Sequence, residues 1–155
     1  MSKTFTISID AMGGDNAPRK IIEGVELALK RHSSVNFILF GDQTKIKPLL
    51  AEFSRAAARS RVIHTEEFVT DDEKPGHALR SGRNSSMRLA INALSDGEAD
   101  GVISAGNTGA LMAMAKFVLK TLPGIDRPAI ATSFPTQRGG SVMLDLGANI
   151  TCNAD

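Results

Sequence analysis

Strand-like and helix-like patterns of apolar residues alternate along this chain. Residues 4–10 (TFTISID) alternate apolar with polar positions, which predicts a strand. A Gly/Asp/Asn turn follows, and Pro18 stands near a helix start, where its missing N–H costs nothing. Ile21, Ile22, Val25, Ala28 and Leu29 then form one helical stripe, with Lys30 and Arg31 at the negative end of the helix dipole. The run FILF (residues 37–40), ending in Gly41 and Asp42, is the pattern of a strand buried on both faces. Ile46, Leu49, Leu50, Phe53 and Ala57 predict a second helical face, and RVIHT (residues 61–65) a third strand. Met87, Ala90, Ile91 and Leu94 mark a third helix, and GVIS (residues 101–104) a fourth strand. Leu111, Met112, Ala115, Val118, Leu119 and Leu122 mark a fourth helix, closed by Pro123 and Gly124.

Two more strands are expected at residues 129–134 (AIATSF) and 141–146 (SVMLDL). Only PTQRGG separates them, whereas a parallel crossover needs roughly a dozen residues or more, so this pair should be antiparallel. The expected fold is therefore α/β: a Rossmann-like αβα sandwich with a mostly parallel sheet and one antiparallel pair near the C-terminus. Residues 1–155 read as one domain with no internal repeat or linker. The chain stops after DLGAN, where the rhythm calls for another covering helix. It reads as the incomplete N-terminal half of a longer protein or as a chain that borrows cover from a partner, with a complete small domain as the remaining alternative.

Composition narrows the classes. Eighteen Lys+Arg against 17 Asp+Glu give a net charge of +1, which does not suit a strongly basic nucleic-acid binder. Seven Phe, with no Trp or Tyr, leave few rings for base stacking. No stretch approaches the roughly 18 apolar residues of a membrane span. The single cysteine, Cys152, has no internal partner and, with no secretion signal in MSKTFTISID, suits a reducing cytoplasm.

Chemistry is expected where polar, glycine-rich segments follow strands, since ligands of open α/β sheets bind beyond the strands' carboxyl ends. After the first strand comes Asp10, then Gly13, Gly14, Asp15 and Asn16. Paired glycines let backbone N–H groups approach a ligand, and a helix start adds free donors. Asp15 and Asn16 have a second reading as the helix N-cap. After the fourth strand, SAGNTGA has the layout of an anion cradle, with Gly106, Asn107 and Thr108 at a helix N-terminus. Thr108 can also be read as a cap. A third segment carries Asp145 and Asn149; Asp145 reads equally as a ligand contact or as a structural partner of Arg127. The charged stretch 66–84 is long for a connection and brings Lys74, His77, Arg80 and Arg83 to Ser85 and Ser86 at a helix start. That suits an anionic substrate or a solvated loop.

There is no GxxxxGK[ST], no GxGxxG after the first strand, no GxSxG, no CxxC and no HExxH. His32, His64 and His77 are scattered, so no metal site and no cofactor are expected.

IDAMGGDNAP, KPGHALRSGRNSSMRLA, SAGNTGALM, GIDRPAIAT and DLGAN, in that order, closely resemble the bacterial phosphate acyltransferases of phospholipid synthesis. The resemblance runs from about Ile7 to Cys152. It implies a fold similar to the isocitrate dehydrogenase and phosphotransacetylase group. It also implies transfer of a fatty acyl group from acyl-acyl carrier protein to inorganic phosphate, giving acyl phosphate. A homodimer when full length, a cytoplasmic enzyme peripheral to the inner face of the membrane, and a membrane-bound glycerol-3-phosphate acyltransferase as the next user are further implications. Family members run about twice this length. Ser81 and Gly82 stand where many members carry basic residues, and Asn84 where they carry an acidic one. The alternatives are a truncated, non-catalytic anion-binding module and a phosphotransacetylase-like enzyme using acyl-CoA.

Phosphate is already an anionic nucleophile, so no serine or cysteine intermediate is demanded; the task is to hold it against a thioester carbonyl and stabilise the developing charge. In that scheme Gly106, Asn107 and Thr108 cradle phosphate, Gly13, Gly14 and Asn16 bound the crevice, and Ser85 and Asn149 are further contacts. Lys74, Arg80 and Arg83 offset negative charge. Asp10, Asp15, Asp145 and Lys74 are the catalytic candidates.

Overall fold

Strand β1 (Thr6–Asp10) pairs with β2 (Asn36–Gly41) on one side and β4 (Gly101–Ile103) on the other, and β3 (Ser60–His64) lies beyond β2 in the computed structural model. The sheet order is β3-β2-β1-β4 and every pair is parallel, with Asp10 opposite Phe40 and Ile9 opposite Ile103. The structure describes residues 4–126 and 128–144, so Arg127, Asp145, Asn149 and Cys152 lie outside the described residues. Two compact units divide the chain, Met1–Lys120 and Thr121–Asp155.

In the first unit, β2 shows why a continuous apolar run is needed. Successive side chains point to opposite faces. Phe37 and Leu39 join one core with Ile22, Val25 and Leu29 of α1 (Arg19–Arg31) and Ile46 of α2 (Gln43–Leu50). Ile38 and Phe40 point the other way, against Ala90 and Ala93 of α5 (Ser86–Ser95). A third cluster joins Ala78 of α4 (Pro75–Ser81), Met87 and Ile91 of α5, and Ala110 and Met114 of α6 (Thr108–Leu119). Helices on both faces of a parallel sheet make the Rossmann-like layering expected from the alternation. Among the described residues, no helix is long and apolar enough to cross a membrane.

Three local expectations are corrected. The second helical face is split between α2 and α3 (Ser54–Arg59), because Phe53 takes an extended backbone (φ −128°, ψ 97°) and turns in against the core of α1 and α2. The stretch 66–84 contains α4, which opens with Pro75 and stops at Gly82, the Pro-first, Gly-last pattern of a short helix. Neither Asp15 nor Asn16 caps α1; Pro18 occupies the cap without a side-chain bond, and the Asn16 carbonyl accepts the Lys20 N–H at 3.1 Å.

In the second unit, β5 (Ala131–Thr136) and β6 (Gly139–Leu144) form a separate antiparallel pair, with Thr136 opposite Gly139. The strands run further into PTQRGG than the pattern indicated, leaving Gln137 and Arg138 as a two-residue turn. Arg138 donates its N–H to Thr136 Oγ1 at 3.3 Å, which stabilises the tight reversal.

Candidate functional site

The order β3-β2-β1-β4 makes β1 the point where the chain changes direction across the sheet: β2 and β3 build one way and β4 the other. The loops leaving β1 and β4 therefore diverge, and a crevice opens between them at the strands' carboxyl ends. A cleft of ≈ 450 Å³ lies there, lined by Gly14, Asp15, Asp71, Ala105, Gly106, Asn107, Thr108 and Gly109.

Backbone contact forms its floor. A Cβ on Gly13 would stand 2.5 Å from Asp10 Oδ2 and 2.9 Å from the Gly106 nitrogen, so only glycine admits the second loop this closely. Gly14 has φ +97°, and a Cβ there would meet the Ala105 carbonyl oxygen at 3.0 Å.

Beneath the floor, Asp10 is 2% exposed. Ser86 donates its hydroxyl to Asp10 Oδ1 at 2.6 Å, and Ser104 donates its own to Oδ2 at 2.7 Å. The Met12 N–H adds a third bond at 3.2 Å. Ser104 Oγ in turn accepts the Gly106 N–H at 3.2 Å, so that donor is directed inward rather than into the cleft.

Asn107 is the N-cap of α6: its Oδ1 accepts the Ala110 N–H at 3.0 Å. Its Nδ2 faces three carbonyl oxygens, of Thr70 at 3.2 Å, Asp71 at 3.0 Å and Glu73 at 2.8 Å. The side chain thus fastens the loop before α4 to the start of α6. Pro75 completes the junction, since a Cβ on Gly109 would meet its Cγ at 2.8 Å. The first two helical N–H groups of α6, those of Thr108 and Gly109, have no acceptor among the described residues and belong to residues lining the cleft. They carry the positive end of the α6 dipole.

Gly13, Gly14, Asp15, Gly106, Asn107 and Thr108 are thus brought together, with Asp10 directly behind them. Asn16 is exposed beside the cleft but does not line it. Lys74 is exposed at the N-cap of α4, Arg80 in its last turn and Arg83 in the turn beyond; none of the three lines the cleft. Ser85 is buried as the N-cap of α5, donating to the Gly82 carbonyl at 2.8 Å and accepting the Arg88 N–H at 3.3 Å. His77 Nδ1 pairs with Glu73 Oε1 at 2.6 Å on the exposed side of α4. Asp145 and Asn149 lie outside the described residues.

Sequence reasoning missed the roles of Ser86, Ser104 and Asp71. A serine directly after the fourth strand, opposite an aspartate ending the first, was the available signal for Ser104. Nothing local marked Asp71.

A protein-family model described as fatty acid synthesis protein matches residues 5–155. Among curated relatives, the phosphate acyltransferase of Rhodospirillum centenum is 61% identical over 155 residues, covering all of this chain and 44% of the relative. Those of Rhodospirillum rubrum and Paramagnetospirillum magneticum are 59% and 56% identical over the same span, again 44% of each relative. The chain therefore spans less than half the length of these relatives.

Proposed function

This chain belongs to the fatty acid synthesis protein family, and we propose that the whole protein transfers a fatty acyl group from acyl-acyl carrier protein to inorganic phosphate, yielding acyl phosphate. The observation that carries this reading is the cleft at the sheet's turning point, where the N–H groups of Thr108 and Gly109 are available to an oxyanion. The relatives' name supplies the reaction class.

In this scheme phosphate binds with oxygens on those two N–H groups, bounded by Gly14 and the Ala105 to Gly106 backbone. One phosphate oxygen attacks the thioester carbonyl carbon. A C–O bond forms, the C–S bond breaks, and the phosphate proton passes to the departing thiolate, leaving the carrier as free thiol. Asp15, exposed in the cleft, relays that proton. Two carboxylates, Asp15 and Asp71, line the cleft, so compensation of the anion's charge falls to the α6 N-terminus. Lys74, Arg80 and Arg83, outside the cleft, face the carrier's phosphopantetheine arm. The same reading makes the full-length protein a cytoplasmic homodimer, peripheral at the inner membrane face, that supplies a membrane-bound glycerol-3-phosphate acyltransferase.

The test is a chimera in which this segment replaces the matching 44% of the Rhodospirillum centenum relative. Acyl phosphate formation is followed with acyl-acyl carrier protein and, separately, acyl-CoA as donor. Turnover with the carrier-bound donor is expected; turnover with acyl-CoA alone would reassign the thiol substrate, and no acyl phosphate from either donor would overturn the reading.

A further inference from the structure

We infer that Asp10 is a positioning residue that sets the shape of the phosphate cradle through Ser104, rather than an acid or base in the reaction. This rests on the phosphate reading above and specifies what holds that site together. Asp10 is buried to within 2% of full enclosure, and a carboxylate so placed needs its lone pairs filled. Ser86, Ser104 and the Met12 N–H fill them, at 2.6, 2.7 and 3.2 Å. Both serine hydroxyls donate to it, and each has a single proton to give.

That orientation has a consequence one bond further on. With its proton committed to Asp10, the Ser104 oxygen presents a lone pair, which takes the Gly106 N–H at 3.2 Å. The Gly106 peptide is thereby turned inward, and the chain continues into Asn107 and the N–H groups of Thr108 and Gly109 at the cleft. On the other side, Gly13 is seated against Asp10 Oδ2 and the Gly106 nitrogen, so the same carboxylate also supports the first loop. Ser86 ties the arrangement to the first turn of α5. One buried carboxyl group thus joins β1, the loop after β4 and α5. Its oxygens are engaged in these bonds, and at 2% exposure it is absent from the lining of the cleft.

The inference is tested in the same chimera by steady-state kinetics with phosphate and acyl donor varied separately across pH. In Asp10→Asn the amide must donate toward one serine, so one hydroxyl reverses and the Ser104 to Gly106 bond loses its orientation. The Michaelis constant for phosphate is expected to rise roughly 10-fold, the size of one disrupted charge-assisted bond. That for acyl donor should stay within about twofold, and the pH profile of kcat should keep its shape. Ser104→Ala should reproduce the phosphate effect, Ser104→Thr should restore most of it, and the Asp10→Asn/Ser104→Ala pair should be no worse than either alone, because both act through one chain of bonds. Loss of a limb of the pH profile with unchanged phosphate dependence would make Asp10 an acid or base and overturn the inference. An unchanged phosphate dependence in Ser104→Ala would also overturn it. Should Asp10→Asn fail to fold, the Ser104→Ala and Ser104→Thr comparison decides alone. An unsubstituted chimera that makes no acyl phosphate would instead remove the functional reading.

Discussion

A methyl group on Gly13 would stand 2.9 Å from the Gly106 nitrogen, a separation that real Cβ atoms do not reach. The two glycine loops therefore touch backbone to backbone, and the nearest side-chain atom, Asp10 Oδ2 at 2.5 Å, is held by Ser104. Gly13→Ala should cost about 1–3 kcal/mol, the usual penalty of overpacking a closed site. Gly24→Ala is the counter-case: it lies exposed in the interior of α1 with nothing within 4 Å of a new Cβ. It should stabilise by roughly 0.5–1 kcal/mol, since alanine loses less backbone entropy in a helix. Urea unfolding of the two variants should move in opposite directions.

Thr108 is the first helical residue of α6, and Asn107 before it already has the extended geometry (φ −54°, ψ 108°) that a following proline demands. Thr108→Pro therefore removes one cleft N–H while keeping the helix start. Thr108→Ala removes the hydroxyl and keeps the N–H. The proline variant should weaken phosphate use roughly 10-fold, and the alanine variant markedly less, in phosphate-dependent acyl phosphate formation. Equal effects of the two would move the contact from backbone to hydroxyl.

Asn107 performs two separable tasks. Asn107→Ser keeps an N-cap for the Ala110 N–H but has no amide to reach the Thr70, Asp71 and Glu73 carbonyls. Amide hydrogen exchange around residues 70–74 should accelerate while α6 stays protected. Asn107→Ala should lose both, with a further stability cost of about 1 kcal/mol.

Acid should loosen the first unit through three carboxyls. Glu26 is held below its ordinary value of 4.5 chiefly by the Ala56 N–H, then by Arg55. Asp42 is lowered by the Thr44 hydroxyl and N–H, and Glu52 by Arg19. Each group has a folded pKa below its unfolded one, so its contribution is complete above the unfolded value and is lost as pH falls toward the folded one. The melting temperature should drop between about pH 5 and about pH 3, and Glu26→Gln should reduce that drop.

The strands and most helices of the first unit were legible because their signal is local. FILF reads as a doubly buried strand, and the stripe from Ile21 to Leu29 as one helix. Helix α4 escaped notice although Pro75 and Gly82 bracket it, because seven residues supply too few turns for a period. The glycine pairs pointed to close backbone approach, which Gly13 and Gly106 show. What Asn107 does was not legible, since its partners are backbone carbonyls 34 to 37 positions away. The serines on Asp10 were hidden for the same reason, at separations of 76 and 94. The order of strands is likewise set by how helices pack across the sheet, which no periodicity spells out.

The 94-residue span between Asp10 and Ser104 has a bearing on how the molecule comes into being. Closing so wide a ring costs chain entropy before any bond across it gives a return, and such contacts slow folding. The parallel β1–α1–β2 start can form from neighbouring segments, yet Ser104 cannot reach Asp10 until the fourth strand docks. On the function proposed above, affinity for phosphate would then be a maturity marker: a polypeptide that has begun to collapse but not finished would be blind to it.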